Sequence, residues 1–280
     1  MTRIGSVHQT VGYAKYVEKV LGWRSLVVDG TLLFRMAPGL YTSYYMTSMP
    51  EKCRDRLLFA TCHPLSGLAG NVQHATFLLD LTRGKGDIWR RMDRDSARKL
   101  VRRAEERGVV VREALSEPDV RAYWELLNTF RASKGLRRTP FSYTSELLRC
   151  LPGIARLFVA EKGGRMLAGQ IVTAYDGYVL EWGLCRDPML REALYPQELL
   201  KWKILEWSVD SGQKWYDFSG TGATEGIRRW KAKFGGKEVR FSGVHHPSIV
   251  RRLLLKAVNT WKAWSYRPSP EPVLRTWHGT

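Results

Sequence analysis

The stretch "ARLFVAEKGGRMLAGQIVTAYDGYVLEWGLC", Ala155 to Cys185, constrains the fold most. It holds three apolar segments of strand length, separated by Gly163-Gly164 and Asp176-Gly177. Two-residue turns of this kind join antiparallel neighbours, so the stretch predicts a three-stranded meander. Two segments with helical spacing precede it, "VRAYWELLNTFRASKG" (Val120 to Gly135) and "YTSELLRCL" (Tyr143 to Leu151). A third follows, "PQELLKWKILEWSVDSG" (Pro196 to Gly212), with proline at its start and glycine at its end. "KWYDFSG" (Lys214 to Gly220) then reads as a strand. Helix, helix, meander, helix, strand is an α+β order, not the alternation of a doubly wound sheet.

The first half has a different rhythm. Val11, Tyr13, Ala14, Val17, Val20 and Leu21 recur at helical spacing over residues 10–22. "SLVVDG" and "TLLFRM" (Ser25 to Met36) read as a hairpin turning at Asp29-Gly30, and "ATFLLDL" (Ala75 to Leu81) as a buried strand. A helix is then expected from about Asp87 through Arg107, stopped by Gly108. Ile88, Trp89, Met92, Leu100, Val101 and Ala104 form its apolar stripe. Arg90, Arg94, Arg98 and Arg102 recur every four residues, which stacks them along one side. That face is either a solvated, internally paired surface or a contact surface for a phosphate backbone.

Charge bears on the choice. Lys and Arg number 45 against 27 Asp and Glu, a formal net charge of +18 with pI near 10. Such a balance points to a polyanionic partner, nucleic acid or an anionic membrane surface. No apolar run approaches the roughly 18 residues that span a bilayer. "MTRIGSVHQT" lacks a signal-peptide core, and the cytoplasm is the expected compartment. Cys53, Cys62, Cys150 and Cys185 have no C-x-x-C spacing and are expected reduced and mostly buried; no metal is expected. "GTGATEG" (Gly220 to Gly226) lacks the dinucleotide-loop spacing, and a Walker A loop is absent.

The densest chemical signal is "GIRRWKAKFGG", Gly226 to Gly236. With "TFLLDL" and "RKLVRRAEERGVVV", the meander from Phe158 to Leu184, and "LYPQELLKWKILEWSVDSGQKWYDFSG", it resembles the FemAB/FemX family of aminoacyl-tRNA-dependent transferases. The likeness covers roughly residues 75–240, with Trp230 where that family's signature has its first Phe. It implies two GNAT-like acyltransferase domains in tandem, residues 1–113 on the acceptor side and 114–240 carrying the Trp-Lys-x-x-Phe-Gly signature. Residues 241–280 then form a C-terminal helix and tail. It also implies transfer of an amino acid from charged tRNA to an amine, with no cofactor beyond that co-substrate. The acceptor implied by the resemblance is a peptidoglycan precursor or a small peptide such as a natural-product intermediate. The Pro-Arg-Gly-Pro-like segment of cross-bridge enzymes is missing from the first half, and there is no room for a long helical hairpin in the second.

An aminoacyl ester is already activated, so its transfer needs positioning and stabilisation of developing negative charge. Lys231 is the expected oxyanion partner, with Lys233 next. Trp230 and Phe234 would wall the lysine or stack on the terminal adenine, with Tyr216 beside them. Arg228 and Arg229 would hold phosphate, and Gly235 would allow close backbone approach. Asp217 would orient or deprotonate the amine, or else pair structurally with Arg228 or Lys231. The rival readings are an acyl-CoA N-acyltransferase, against which the turn from Cys185 to Gln197 offers no glycine, and a non-enzymatic RNA-binding protein. "PSIVRRLLLKAVNTWKAW" (Pro247 to Trp264) is expected to pack back on the first domain or to touch a membrane surface.

Overall fold

The computed structural model describes residues 5–114, 116–190, 193–220 and 224–246. The C-terminal helix expected over Pro247 to Trp264 lies outside the described residues. The strands are β1 (Arg24–Val28), β2 (Thr31–Ala37), β3 (Leu40–Met46), β4 (Leu57–Cys62), β5 (Val72–Asp80), β6 (Val110–Ala114), β7 (Ala155–Lys162), β8 (Arg165–Tyr175), β9 (Tyr178–Arg186), β10 (Trp215–Gly220) and β11 (Lys237–His245). They form one sheet in the order β1-β2-β3-β4-β11-β5-β10-β9-β8-β7-β6.

The helices are α1 (Val11–Leu21), α2 (Gly84–Arg91), α3 (Lys99–Glu106), α4 (Glu117–Ser133), α5 (Phe141–Cys150), α6 (Pro196–Asp210) and α7 (Glu225–Ala232). They divide between the faces of the sheet according to the two-residue period of the strands. On β7, Phe158 and Ala160 join the core beneath α2, α3 and α6, while Leu157 and Val159 join the core beneath α1, α4 and α5. Tyr216 and Phe218 of β10 belong to the first of these cores.

The pairing reads the same outward from the middle. From the antiparallel β11–β5 pair, each side meets an antiparallel neighbour (β4 or β10), then a parallel one (β3 or β9), then antiparallel strands again. The two halves interleave at the centre. β5, from the first half of the chain, pairs with β10, and β11, from the second, pairs with β4. The boundary expected at 113/114 falls within β6, which pairs along its length with β7.

The helix expected from Asp87 to Arg107 is two helices. α2 ends at Arg91, and Asp93 starts a new segment by accepting the N–H groups of Asp95 and Ser96, followed by a π-helical turn over Arg94–Arg98 and then α3. A short polar side chain that competes for backbone donors caps a helix rather than continuing one. Val11, expected on the buried face of α1, is 72% exposed; it is the first residue after the Thr10 cap.

Candidate active site

The two parallel strand pairs at matching topological positions differ. Between β3 and β4 the pairing is interrupted after Ser43, at Tyr45 with φ of 47°, and resumes at Met46 with Cys62. The gap is closed by Thr61, whose hydroxyl accepts the Tyr45 N–H at 3.0 Å. Between β9 and β10 the pairing runs through Tyr178–Leu180 and Trp215–Asp217 and has no further register pairs.

Asp217 sits where the pair opens. It is fully buried and accepts hydrogen bonds from Tyr178 Oη (2.6 Å), Tyr45 Oη (3.3 Å), the Thr76 hydroxyl and the Ser219 N–H (2.7 Å). Burial pushes its pKa up to about 6, against the opposing pull of Thr76, Tyr178 and the Ser219 N–H. Ser219 has a φ of 62°, a conformation costly for a residue with a side chain. Asp217 holds its N–H, and the Thr76 hydroxyl, whose single proton is shared between Asp217 and the Ser219 carbonyl, lies 2.7 Å from that carbonyl oxygen.

That carbonyl also accepts from Lys231. Nζ of Lys231, on the last turn of α7, donates to Ser219 O at 2.8 Å and to Gly220 O. Lys231 is 6% exposed, and burial lowers its pKa while the Glu181 and Asp217 carboxylates oppose the shift. A second buried lysine lies deeper. Lys201 of α6 donates to Glu181, to Gln170 Oε1 (2.7 Å) and to Tyr216 Oη (3.1 Å). Desolvation lowers its pKa as well, with Glu181 opposing.

Glu181 connects this polar cluster to a cavity of about 470 Å³ on the α1/α4/α5 face. The cavity reaches Ser219 and Glu181 at the strand opening, and Tyr13, Tyr44, Tyr45, Tyr123 and Trp182 wall much of it. His8 lines it too, in contact with Tyr45 and Trp182 at ring separations of 4.9 and 5.5 Å. Burial, with His63 nearby, drives the His8 pKa down to about 3, so the ring is neutral at physiological pH. Gly183 bounds the cavity with φ of 52°; a Cβ there would lie 2.4 Å from the Tyr123 hydroxyl oxygen, a collision that only glycine avoids.

The residues expected from sequence are distributed unevenly around this opening. Lys231 and Asp217 meet there, linked through Ser219. Asp217 does not pair with Arg228, which instead forms ion pairs with Glu238 and Glu225. Tyr216 and Phe234 are completely buried core residues and present no ring to a ligand. Trp230 packs edge-to-face on Phe234, and the ammonium lying over it, 4.0 Å from the ring centroid, is that of Lys233 rather than Lys231. Lys233 is itself paired with Glu198 at 2.9 Å. The aromatics of the signature therefore anchor α7 to the core instead of walling Lys231. Gly235, with φ of 87°, ends that segment, and at Gly236 a Cβ would press on Phe218 and the Lys231 carbonyl. Arg229 remains largely exposed, with Glu225 as partner.

The arginine stripe is also rearranged. Arg94, Arg98 and Arg102 line one surface groove with Lys99 and Arg103 and with the carboxylates of Asp95 and Glu106, five cations against two anions, whereas Arg90 lies on α2 and pairs with Asp87. This groove is on the α2/α3/α6 side of the sheet, opposite the aromatic cavity. Sequence reading missed Glu181, Lys201 and Ser219. Lys201 had a signal: it occupies an inward position of a helix whose neighbours Leu200, Ile204 and Leu205 are core residues.

The sheet is mixed and flanked by helices, and one of its parallel pairs parts near the buried ammoniums of Lys231 and Lys201. The acetyltransferase (GNAT) domain family matches residues 91–263, and the chain belongs to that family. Its fold is similar to that of FemX, with a TM-score of 0.70 at 13% identity, covering 86% of this chain and 92% of that one. It is also similar to the C-terminal domain of a putative lysylphosphatidylglycerol synthetase from Agrobacterium fabrum (TM-score 0.61, 12% identity, 91% and 93% covered). A third likeness is to L-PGS from Bacillus licheniformis (TM-score 0.57, 9% identity, 88% and 91% covered). No curated protein matches the sequence. The α+β, tandem GNAT-like fold implied by the sequence resemblance is the fold found. No described helix is long and apolar enough to cross a membrane.

Proposed function

We propose that this protein transfers an aminoacyl group from the 3′ end of a charged tRNA to a primary amine. The observation that carries the reading is the opening between β9 and β10 with Lys231 at its edge. An ammonium has three N–H groups. Ser219 O and Gly220 O engage two of them, which fixes Nζ and leaves a third donor. As the amine nitrogen attacks the ester carbonyl, a C–N bond forms and the carbonyl oxygen gains charge beside that donor. The C–O bond to the ribose then breaks, and the ribose oxygen takes up the proton that the amine gives up. A pre-fixed donor stabilises the transition state without reorganising during the reaction.

Asp217 acts here as a positioning group. It holds the strained Ser219, and Ser219 holds Lys231. The groove of Arg94, Lys99, Arg98, Arg102 and Arg103 would take the phosphate backbone of the tRNA, in keeping with the charge of +18. The fold likeness to FemX and to a putative lysylphosphatidylglycerol synthetase supports this reading over acyl-CoA chemistry. The start of α6 speaks against CoA as well. Pro196 removes one N–H donor from its first turn, and Glu198 places a carboxylate there.

The test is incubation of the protein with a mixed pool of charged tRNAs and a panel of amines, read by mass spectrometry, with acetyl-CoA in a parallel reaction. Aminoacylated amine is the expected product. Acetyl transfer faster than aminoacyl transfer would reverse the assignment.

A further inference from the structure

The geometry points to an acceptor amine with an apolar, aromatic-sized body, seated in the cavity on the α1/α4/α5 face with its nitrogen at the Glu181–Ser219 end. This rests on the proposed transfer reaction and adds the substrate class that reaction uses. Three observations lead to it.

The first is the separation of charge. The basic groove lies on the α2/α3/α6 side of the sheet and the cavity on the other, with the β9–β10 opening between the two. A polyanionic donor and its acceptor therefore approach the reacting carbonyl from opposite faces, and the surface that suits the donor is not the surface that meets the acceptor.

The second is the chemistry of the cavity wall. Arg131 and Glu181 are its only ionised side chains among the described residues, because His8 is held neutral by burial. Glu181 is already engaged by Lys201, and Arg131 donates through Nε to the carbonyl of Arg137 at 2.6 Å. A cavity meant for a sugar diphosphate or a polycarboxylate would carry several unpaired cations, since burying unpaired charge is costly. This wall instead offers Tyr13, Tyr44, Tyr45, Tyr123, Trp182 and Leu147. Aromatic faces and edges of this kind favour a planar or apolar body by burial and ring contact.

The third is size and placement. About 470 Å³ is within the range that encloses a small molecule. Glu181 and Ser219 lie where the cavity meets the opening, so a ligand whose amine faces the carbonyl there sets its body against the aromatic wall, with Arg131, Thr139 and Thr144 also on the lining. In that pose the C–N bond forms at the opening, the ribose C–O bond breaks on the far side, and the amine proton passes to the ribose oxygen.

The experiment is equilibrium binding to the full chain without tRNA, by calorimetry. The probes are tryptamine, triglycine amide as a polar amine of similar size, and N-acetyltryptamine, which keeps the body and blocks the nitrogen. Tryptamine is expected to bind at least tenfold more tightly than triglycine amide. N-acetyltryptamine is expected to be weaker than tryptamine, because it cannot meet Glu181 as an amine. Leu127→Trp, which projects a ring into the cavity, should cost tryptamine at least tenfold in affinity. Leu127→Ala, which enlarges the cavity, should shift preference toward larger aromatic amines. Equal binding of tryptamine and triglycine amide would overturn the apolar class. Indifference to both Leu127 variants, with unfolding curves showing them folded, would overturn the site. Equal binding of tryptamine and its N-acetyl derivative would overturn the orientation. Tight tryptamine binding with no aminoacyl transfer in any tRNA pool would leave the cavity assignment standing and refute the proposed reaction. Transfer to triglycine amide with no tryptamine binding would do the reverse.

Discussion

The parallel pairs β3–β4 and β9–β10 occupy matching places in the sheet, and each is interrupted near a residue with positive φ, Tyr45 in one and Gly183 in the other. The first is sealed by a single hydroxyl, Thr61 on the Tyr45 N–H, and then resumes pairing. In the second, Ser219 and Gly220 turn their carbonyls to Lys231, and Glu181 is engaged by Lys201. Topology thus supplies two candidate clefts, and local side chains decide which becomes one. A threonine suffices to close a gap; keeping one open takes buried ionised groups that satisfy each other.

The largest effect should come from removing one of those groups. Lys201→Met leaves Glu181 buried without its cation and should cost about 3–5 kcal/mol of stability. Denaturant unfolding measures it, and adding Glu181→Gln should recover most of the loss. A cost below about 1 kcal/mol, the scale of an exposed pair, would mean that the opening does not depend on this ion pair.

Lys231→Met should come next, with turnover lowered by roughly 10²- to 10³-fold, about 2.7–4 kcal/mol. Single-turnover kinetics with saturating charged tRNA, beside a tRNA binding titration, separates chemistry from affinity. Loss of affinity with intact chemistry would make Lys231 a phosphate anchor.

The third test uses pH. Asp217 has a raised pKa, about 6 in place of 3.8, so the folded state binds its proton more tightly than the unfolded state does. Stability from this group is present below pH 3.8 and is lost as pH rises to about 6, a change of about 3 kcal/mol. Asp217→Asn has no such titration. The difference in stability between wild type and variant should therefore move in the variant's favour between pH 4 and 6.5 and stay level above it. A flat difference across that window would show that water reaches the carboxylate.

Thr61→Val should give the smallest change, about 1–2 kcal/mol for leaving the Tyr45 N–H without its acceptor. If it also loosens Tyr45 from Asp217, Lys231-dependent turnover should fall with it. Unchanged turnover would show the two parallel pairs to be energetically separate.

Much of the second half was legible in sequence because its signals are local. The turns at Gly163-Gly164 and Asp176-Gly177, the proline-led α6 and the aromatic-rich signature each declare themselves within a dozen residues. The "DRDS" run at Asp93–Ser96 was a legible cap that a run of apolar spacing concealed. The site was less legible, because its partners come from far apart. Tyr45 and Asp217 are 172 residues apart in sequence, and Thr76 and Asp217 are 141 apart. Lys231 and Asp217 were legible as polar residues in a patterned stretch, but the Ser219 link between them is a backbone conformation, which no side-chain pattern announces. Trp230 and Phe234 misled, since an aromatic beside a lysine looks the same in sequence whether it faces a ligand or the core.

The interleaving of β5 and β11 has a consequence for how the molecule comes into being. β5 (ending at Asp80) is made early but finds its partners, β10 (from Trp215) and β11 (from Lys237), only after nearly half of the chain has followed, and β4 waits for β11 as well. Asn71 and His245, hydrogen-bonded to each other, are 174 residues apart. Contacts of such separation slow the search for the native state. Neither half can finish its sheet before β11 has been made, and until residue 245 leaves the ribosome the nascent chain carries an unpaired β4 edge that a chaperone, or a second nascent copy, could bind first.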